Sequence, residues 1–326
     1  MASELLPAVA PVTRRVRAFF APVHRANESS SLWDPGGIAI FSPDAPPAPW
    51  IDLGWCSDFT RKSGTKVAAL AGGAPGVPLG QVRTEIEATV SAAFESWGKL
   101  QLALTCGVQQ MNVLRTQTGA AANGSGGAAV PAVPLSSGST AVALNVGAAA
   151  SSFAAGEVVA VDLDYTGQTG FVGSGASGGY VKSAAAIGAD VDYIRRVTLN
   201  VGRVLAISGS VLTLGAPLLA GAPVAGMQVS HVAAFCDREG GSFFQEWSAL
   251  FVLDGQQGDR VVLHYPRLQA MAGAAELQES LSSTQGSGLK RLRLAGNFRA
   301  LPVQDANDGE WIVCFRSYLA AAMRGV

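Results

Sequence analysis

The stretch Arg83–Gly107, RTEIEATVSAAFESWGKLQLALTCG, decides how this chain is read. Its first half alternates. Arg83, Glu85, Glu87, Thr89 and Ser91 fall on one side, and Ile86, Ala88, Val90, Ala92 and Phe94 on the other. Period two with one polar and one apolar face predicts a long strand, wet on one side and buried on the other. The pattern then changes. Ser96 is placed to cap a helix, Trp97, Leu100, Ala103 and Leu104 recur at helical spacing, and Gly107 suits the stop. A long amphipathic strand followed by a short apolar helix is a building unit with no catalytic group standing out in it.

Upstream, Arg15–Val23 and Gly37–Phe41 read as strands, and the Pro-rich SPDAPPAPW at 42–50 must be extended or loop. WIDLGW at 50–55 reads as a short strand. Residues 56–80, with basic, small, Gly and Pro residues, read as a long loop of the binding or assembly kind. Downstream, Gln109–Arg115 is expected to continue as a helical turn, 116–139 as a flexible or extended loop, and Thr140–Val146 as a strand. Residues 152–229 carry short strands split by Gly/Ser turns, among them the hairpin RVLAISGSVLTL with Gly209 in its turn. They are expected to form a small all-β domain inserted between the two parts of a larger β domain, 1–151 and 230–326. In the last part, Phe243–Leu253, Arg260–Leu268 (ending at Pro266) and Lys290–Leu301 read as strands. Residues 270–288 read as a helical or mobile segment, and Asp308-Gly309 as a turn into a final strand, EWIVCFRSYL.

Composition narrows the class. Only 14% of the 326 residues are charged, 39 are glycine, and the formal net charge is -1. Low charge with many small residues suits a turn-rich β protein or one that buries surface in an assembly, and gives no electrostatic footprint for nucleic acid. Cys56, Cys106, Cys236 and Cys314 are scattered, with no CxxC pair, and read as free, mostly buried thiols. The N-terminus lacks an uninterrupted apolar core of signal type, and no apolar run reaches the roughly 18 residues of a membrane span.

The motif matches fail on context. Gly173, Gly175 and Gly178 fit GxGxxG and residues 175–179 fit GxSxG, yet the flanking patterns are strands and no amphipathic helix follows. His24, His231 and His264 have no metal-ligand spacing. Asp162/Asp164 and Asp190/Asp192 read as solvated strand faces, and DANDGE near Asp305 and DREGG at 237–241 as turns. Glu85 and Glu87 lack the aromatic cleft of a glycosidase pair. The tryptophans, including Trp50, Trp55, Trp97, Trp247 and Trp311, read as core or interface residues. No catalytic, cofactor-binding or metal-ligating residue is assigned, and no enzyme activity is expected.

WIDLGW at 50–55, the loop at 56–80, the strand and helix at 82–107, and the strand series from Arg260 to Leu319 together resemble, in order and pattern, the tail tube proteins of bacteriophages. The resemblance implies two packed β-sheets, sandwich- or barrel-like, with a flanking helix. It also implies hexameric rings of identical copies that stack into a hollow tube through which the phage genome passes, and a location in the virion after synthesis in the host cytoplasm. Partners would be ring neighbours and stacked rings, terminator, tape measure and distal tail proteins, and DNA only in transit. On this reading the face of Arg83, Glu85, Glu87, Thr89 and Ser91 lines the lumen, the 56–80 loop reaches an adjacent ring, and 152–229 projects outward, which favours a non-contractile tail. The competing readings are a baseplate or capsid component, a β-fold hydrolase, and a carbohydrate-binding module in 152–229.

Overall fold

The computed structural model describes residues 16–23, 30–37, 41–44, 46–47, 50–106, 111–117, 130–162, 200–218, 221–236, 246–255, 258–271, 275–280 and 290–319. In chain order the strands are β1 (Val16–Pro22), β2 (Ile51–Gly72), β3 (Val77–Phe94), β4 (Met111–Leu114), β5 (Val133–Pro134), β6 (Ala143–Asn145), β7 (Val158–Asp162), β8 (Val201–Ser208) and β9 (Val211–Leu214). They continue with β10 (Gln228–Cys236), β11 (Trp247–Asp254), β12 (Arg260–Ala270), β13 (Ala275–Ser280), β14 (Lys290–Ala300), β15 (Val303–Gln304), β16 (Trp311–Ile312) and β17 (Phe315–Leu319). One α-helix, α1 (Lys99–Cys106), lies among the described residues, so the protein is mainly β, as its sequence predicts. No helix among the described residues is long and apolar enough to cross a membrane.

The chain divides into two compact units. The first holds Met1–Val23, Ser30–Gly107 and Phe244–Val326. Its antiparallel sheet runs β13–β14–β3–β2–β1–β11–β12–β17, and β14 pairs again with β12 through Leu268↔Ala300, Gln269↔Arg299 and Ala270↔Phe298. That second pairing closes the circuit β14–β3–β2–β1–β11–β12 on itself and curls the sheet into a barrel, within the sandwich- or barrel-like β class expected. Closure satisfies backbone groups that an open edge would leave exposed. Aromatic rings fill the inside: Phe20 lies 5.8 to 6.4 Å from the rings of Phe94, Trp247, Phe251 and Phe298. The opposite face of β1, β11 and β12, with Phe19, Leu250, Val252 and Val262, is covered by Trp33, Phe41 and Trp50. Burial on both faces explains why β1 reads VRAFFAP with little alternation.

Several expectations are corrected. Residues 56–80 are no loop: β2 and β3 form one long hairpin turning at residues 73–76. Residues 111–114 form a strand instead of a helical turn, because β4 pairs with β10. Within 270–288, residues 275–280 are strand β13, paired with β14. β12 does not end at Pro266. The missing N–H falls at a register shift against β11, where β12 also exchanges β17 for β14 as its other neighbour, so no ladder bond is lost. Ser96 does not cap α1, whose first turn closes from the Leu102 N–H to the Gly98 carbonyl. The final strand is split into β16 and β17, which belong to different sheets. Gly107 and residues 38–40 lie outside the described residues.

The second unit, His24–Ser29 and Val108–Phe243, is wider than the predicted 152–229. Its sheet, β4–β10–β7–β8–β9–β6 with β5 on β10, takes the short strand β5 from the stretch read as flexible loop. Leu144, Val159, Val161, Val204, Leu212, Leu214 and Val229 form its own core. The β8–β9 hairpin forms as expected, with Gly209 at φ +59° in its turn.

Candidate functional site

Beyond the barrel, β2 and β3 continue as a two-stranded arm. β1 pairs with β2 only as far as Cys56, and β14 pairs with β3 only from Ala88. From Thr60 to Glu85 every residue except Gly72 is exposed. The thirteen residues from Thr60 to Gly72 span roughly 40 Å at about 3.3 Å each. Both long edges of the arm have no further strand among the described residues. Its distal half carries Val67, Leu70, Val77, Leu79 and Val82 in the open, Leu79 being 77% exposed. An isolated hairpin is marginal in water, and a cluster of exposed large apolar residues on one is a contact surface.

The outer face at the arm's base carries the polar residues read from the sequence. Cross-strand register sets Thr60 beside Ser91, Lys62 beside Thr89 and Lys66 beside Glu85, and on the other flank Asn297 beside Ser91 and Arg299 beside Thr89. Ser91 Oγ bonds Asn297 Oδ1 at 2.7 Å. Glu85 forms an ion pair with Lys66, whose hydrogen bond raises the Lys66 pKa. Glu87 meets Arg299 at 3.5 Å. Both carboxylates of this face are therefore paired with a cation, and Lys62 adds one further positive charge, where the sequence suggested two carboxylates with one basic neighbour. Lys66 and Arg299 were missed because pairing across strands, not spacing along one, brings them here. An open groove of about 340 Å³ lies over this base, lined by Lys66, Glu85, Ile86, Glu87, Arg299 and Leu301.

The other sequence-marked residues do not converge on this face. His264 is buried against the Trp50 and Phe315 rings, with Nε2 3.3 Å from the Ser31 carbonyl it donates to. Ser248 Oγ lies 3.3 Å from the same nitrogen but donates to Ser31 O at 2.6 Å. Burial lowers the His264 pKa to about 4, so the folded chain keeps it neutral. Its contribution to stability is complete above the ordinary histidine value of about 6.5 and is lost as pH falls from there toward 4, because the unfolded chain takes the proton first. The expected loss is about 3 kcal/mol. His264→Gln should flatten this part of the stability–pH curve, measured by urea unfolding at fixed pH steps.

In the second unit, His231 is stacked on Phe153 at 4.1 Å and its Nδ1 accepts from Arg115 Nη2 at 2.6 Å. Arg115 also grips Glu157 at 2.6 Å. Burial and Arg115 lower the His231 pKa. Burial raises Glu157, but the Ala154 N–H, Arg115 and His231 more than offset it. The three side chains tie separate segments of this unit together. DANDGE is a hairpin turn as expected: the Asn307 N–H donates to Asp305 Oδ1, and Gly309 sits at φ +76° between β15 and β16. Trp50 and Trp247 are core residues, whereas Trp55, Trp97 and Trp311 are exposed. Cys56, Cys106 and Cys314 are free thiols, and burial pushes Cys56 up to about 12. His24, Asp164, Asp190, Asp192, Gly173, Gly175, Gly178 and DREGG lie outside the described residues, as do the side chains of Asp162 and Cys236. No group of three or more His, Cys, Asp or Glu able to hold a metal occurs among the described residues.

Against known proteins, the sequence matches no family model and no curated protein.

Proposed function

We propose that this chain is a structural protein of the phage tail tube type, which assembles with copies of itself into hexameric rings that stack into a hollow tube. The observation that carries this reading is the β2–β3 arm, whose open edges and exposed Val67, Leu70, Val77, Leu79 and Val82 find no cover among the described residues. Open edges pair with strands of another molecule, and exposed apolar side chains are buried in the same contact. A closed barrel is a rigid base from which to present such an arm. The polar face of Lys62, Lys66, Glu85, Glu87, Thr89 and Arg299, with both carboxylates in ion pairs, is the surface this reading turns toward the lumen. DNA crossing it would meet two ion pairs and the single further charge of Lys62, a weak hold on phosphates. The same reading places the protein in a virion, with tail terminator, tape measure and distal tail proteins as further partners.

Negative-stain electron microscopy of the purified chain at several concentrations tests it. Hollow rings or tubes of uniform diameter are expected, and a monomer at every concentration would refute it. The lumen assignment has its own test. Tubes of the Glu85→Lys/Glu87→Lys variant should retain duplex DNA at low salt and release it as salt rises, while unmodified tubes retain none. Equal retention by both removes the assignment.

A further inference from the structure

Past Ser63 and its partner Ala88 the arm has no neighbouring strand among the described residues, so its direction is decided where it leaves the barrel. Three contacts meet there. The Phe59 ring lies 4.9 Å from that of Phe251, Arg61 Nε donates to the Tyr265 hydroxyl at 3.0 Å, and Arg293 of β14 pairs with Asp58 at 2.6 Å. Asp58 holds φ +50°, a left-handed conformation that costs a non-glycine residue free energy, inside a register shift between Ser57 and Thr60. Such a bulge bends and twists the strand that carries it. The barrel side of the junction is rigid: Tyr265 is wholly buried, next to Pro266, where β12 changes partners.

We propose that Arg61 and Tyr265, with Asp58 and Arg293 opposite, are positioning residues that clamp the arm in one direction relative to the barrel. Arg61 is exposed and contributes nothing to the barrel core, so its bond to a buried phenol links the arm to the scaffold without being part of the scaffold's packing. Burial, with a contribution from the Cys314 thiol, holds the Tyr265 pKa at about 12 against the opposing effect of Arg61. The phenol therefore stays neutral, and the clamp does not respond to pH in the ordinary range. Two contacts inside the sheet and one outside resist tilt in both senses, whereas either alone would leave a hinge. The clamp concerns the isolated chain. Its consequence for assembly rests on the reading of the arm given above.

The test uses the full chain below its assembly concentration, with spin labels on unnatural side chains at Ala74 in the arm's turn and Ala306 in the β15–β16 turn. A single narrow distance distribution is expected for the unsubstituted chain. Arg61→Ala and Tyr265→Phe should each broaden it about twofold or more, and combining them should add little, as expected of two partners in one bond. Arg61→Lys, which keeps a donor, should recover part of the narrowing. The melting midpoint should stay within about 2 °C in all of them. Distributions that stay narrow in both single variants overturn the proposal, and so does broadening that only follows a fall in melting midpoint. Ring formation by the same variants separates the two readings. A broadened arm with a raised assembly threshold supports both, while a broadened arm with an unchanged threshold keeps the clamp and refutes the arm as the ring-forming element.

Discussion

Replacing Leu70 and Leu79 together by aspartate is expected to leave a folded monomer that forms no rings. In the single chain these side chains are 54% and 77% exposed, and Leu79 leans across Gly72, its Cδ1 occupying the space a side chain there would need. Neither contributes to the barrel core, so folding stability should change by less than about 0.5 kcal/mol per site. Assembly should respond very differently. Burying a leucine is worth about 1.5–3 kcal/mol, and a carboxylate in its place has to be desolvated without a partner. Two such losses per contact come to at least about 3 kcal/mol, a factor of more than about a hundred in association. Sedimentation velocity and electron microscopy would read the assembly, and the melting curve would confirm the fold. Rings forming at the usual concentration would show that the exposed leucines have another use and would remove the main support for the tail tube reading.

The same residues show where the sequence could be read and where it could not. From Ile86 to Phe94 alternation is visible because the barrel buries one face of β3, and the strand was found there. From Val77 to Gly80 no face is buried in the single chain, so nothing selects an apolar/polar rhythm, and this continuation of the same strand reads as loop. The Gly/Pro cluster at 72–76 was the turn itself, flanked by apolar residues at 67, 70, 77, 79 and 82 that outline a hairpin once the turn is known. β12 was cut short at Pro266 because a proline ends an ordinary central strand, and only pairing explains its tolerance at a register shift. The second unit is larger than its sequence suggests since β4 and β5 are short, β5 within a small-residue stretch, and each gains its identity from β10, a distant partner. At the polar face, Glu85, Glu87, Thr89 and Ser91 could be named from spacing along one strand. Lys66 and Arg299 could not, because register between strands is a tertiary property.

Phe20→Ala should be the most damaging single substitution in the barrel, and its effect should stay in the first unit. Phe20 is wholly buried, and its ring touches residues on β11, which pairs with β1, and on β3 and β14, which do not. Truncating it removes the shared centre of four aromatic contacts and leaves a cavity that strands bound in a closed sheet cannot collapse to fill. The expected cost is about 3–5 kcal/mol. For a unit of this size that lowers the melting midpoint by roughly 10 °C. The second unit has its own core around Leu144, Val161, Val204 and Leu212. Calorimetry of the variant should therefore show one transition moved to lower temperature and another in place. Phe19→Ala offers the contrast: that ring faces Phe41 and Trp50 in the cover on the other side of β1, outside the closed circuit of strands, so its cost should be smaller by about 1–2 kcal/mol. If Phe20→Ala moved both transitions equally, the two cores would be one cooperative structure, and the division of the chain at residues 107–108 and 243–244 would have no thermodynamic meaning.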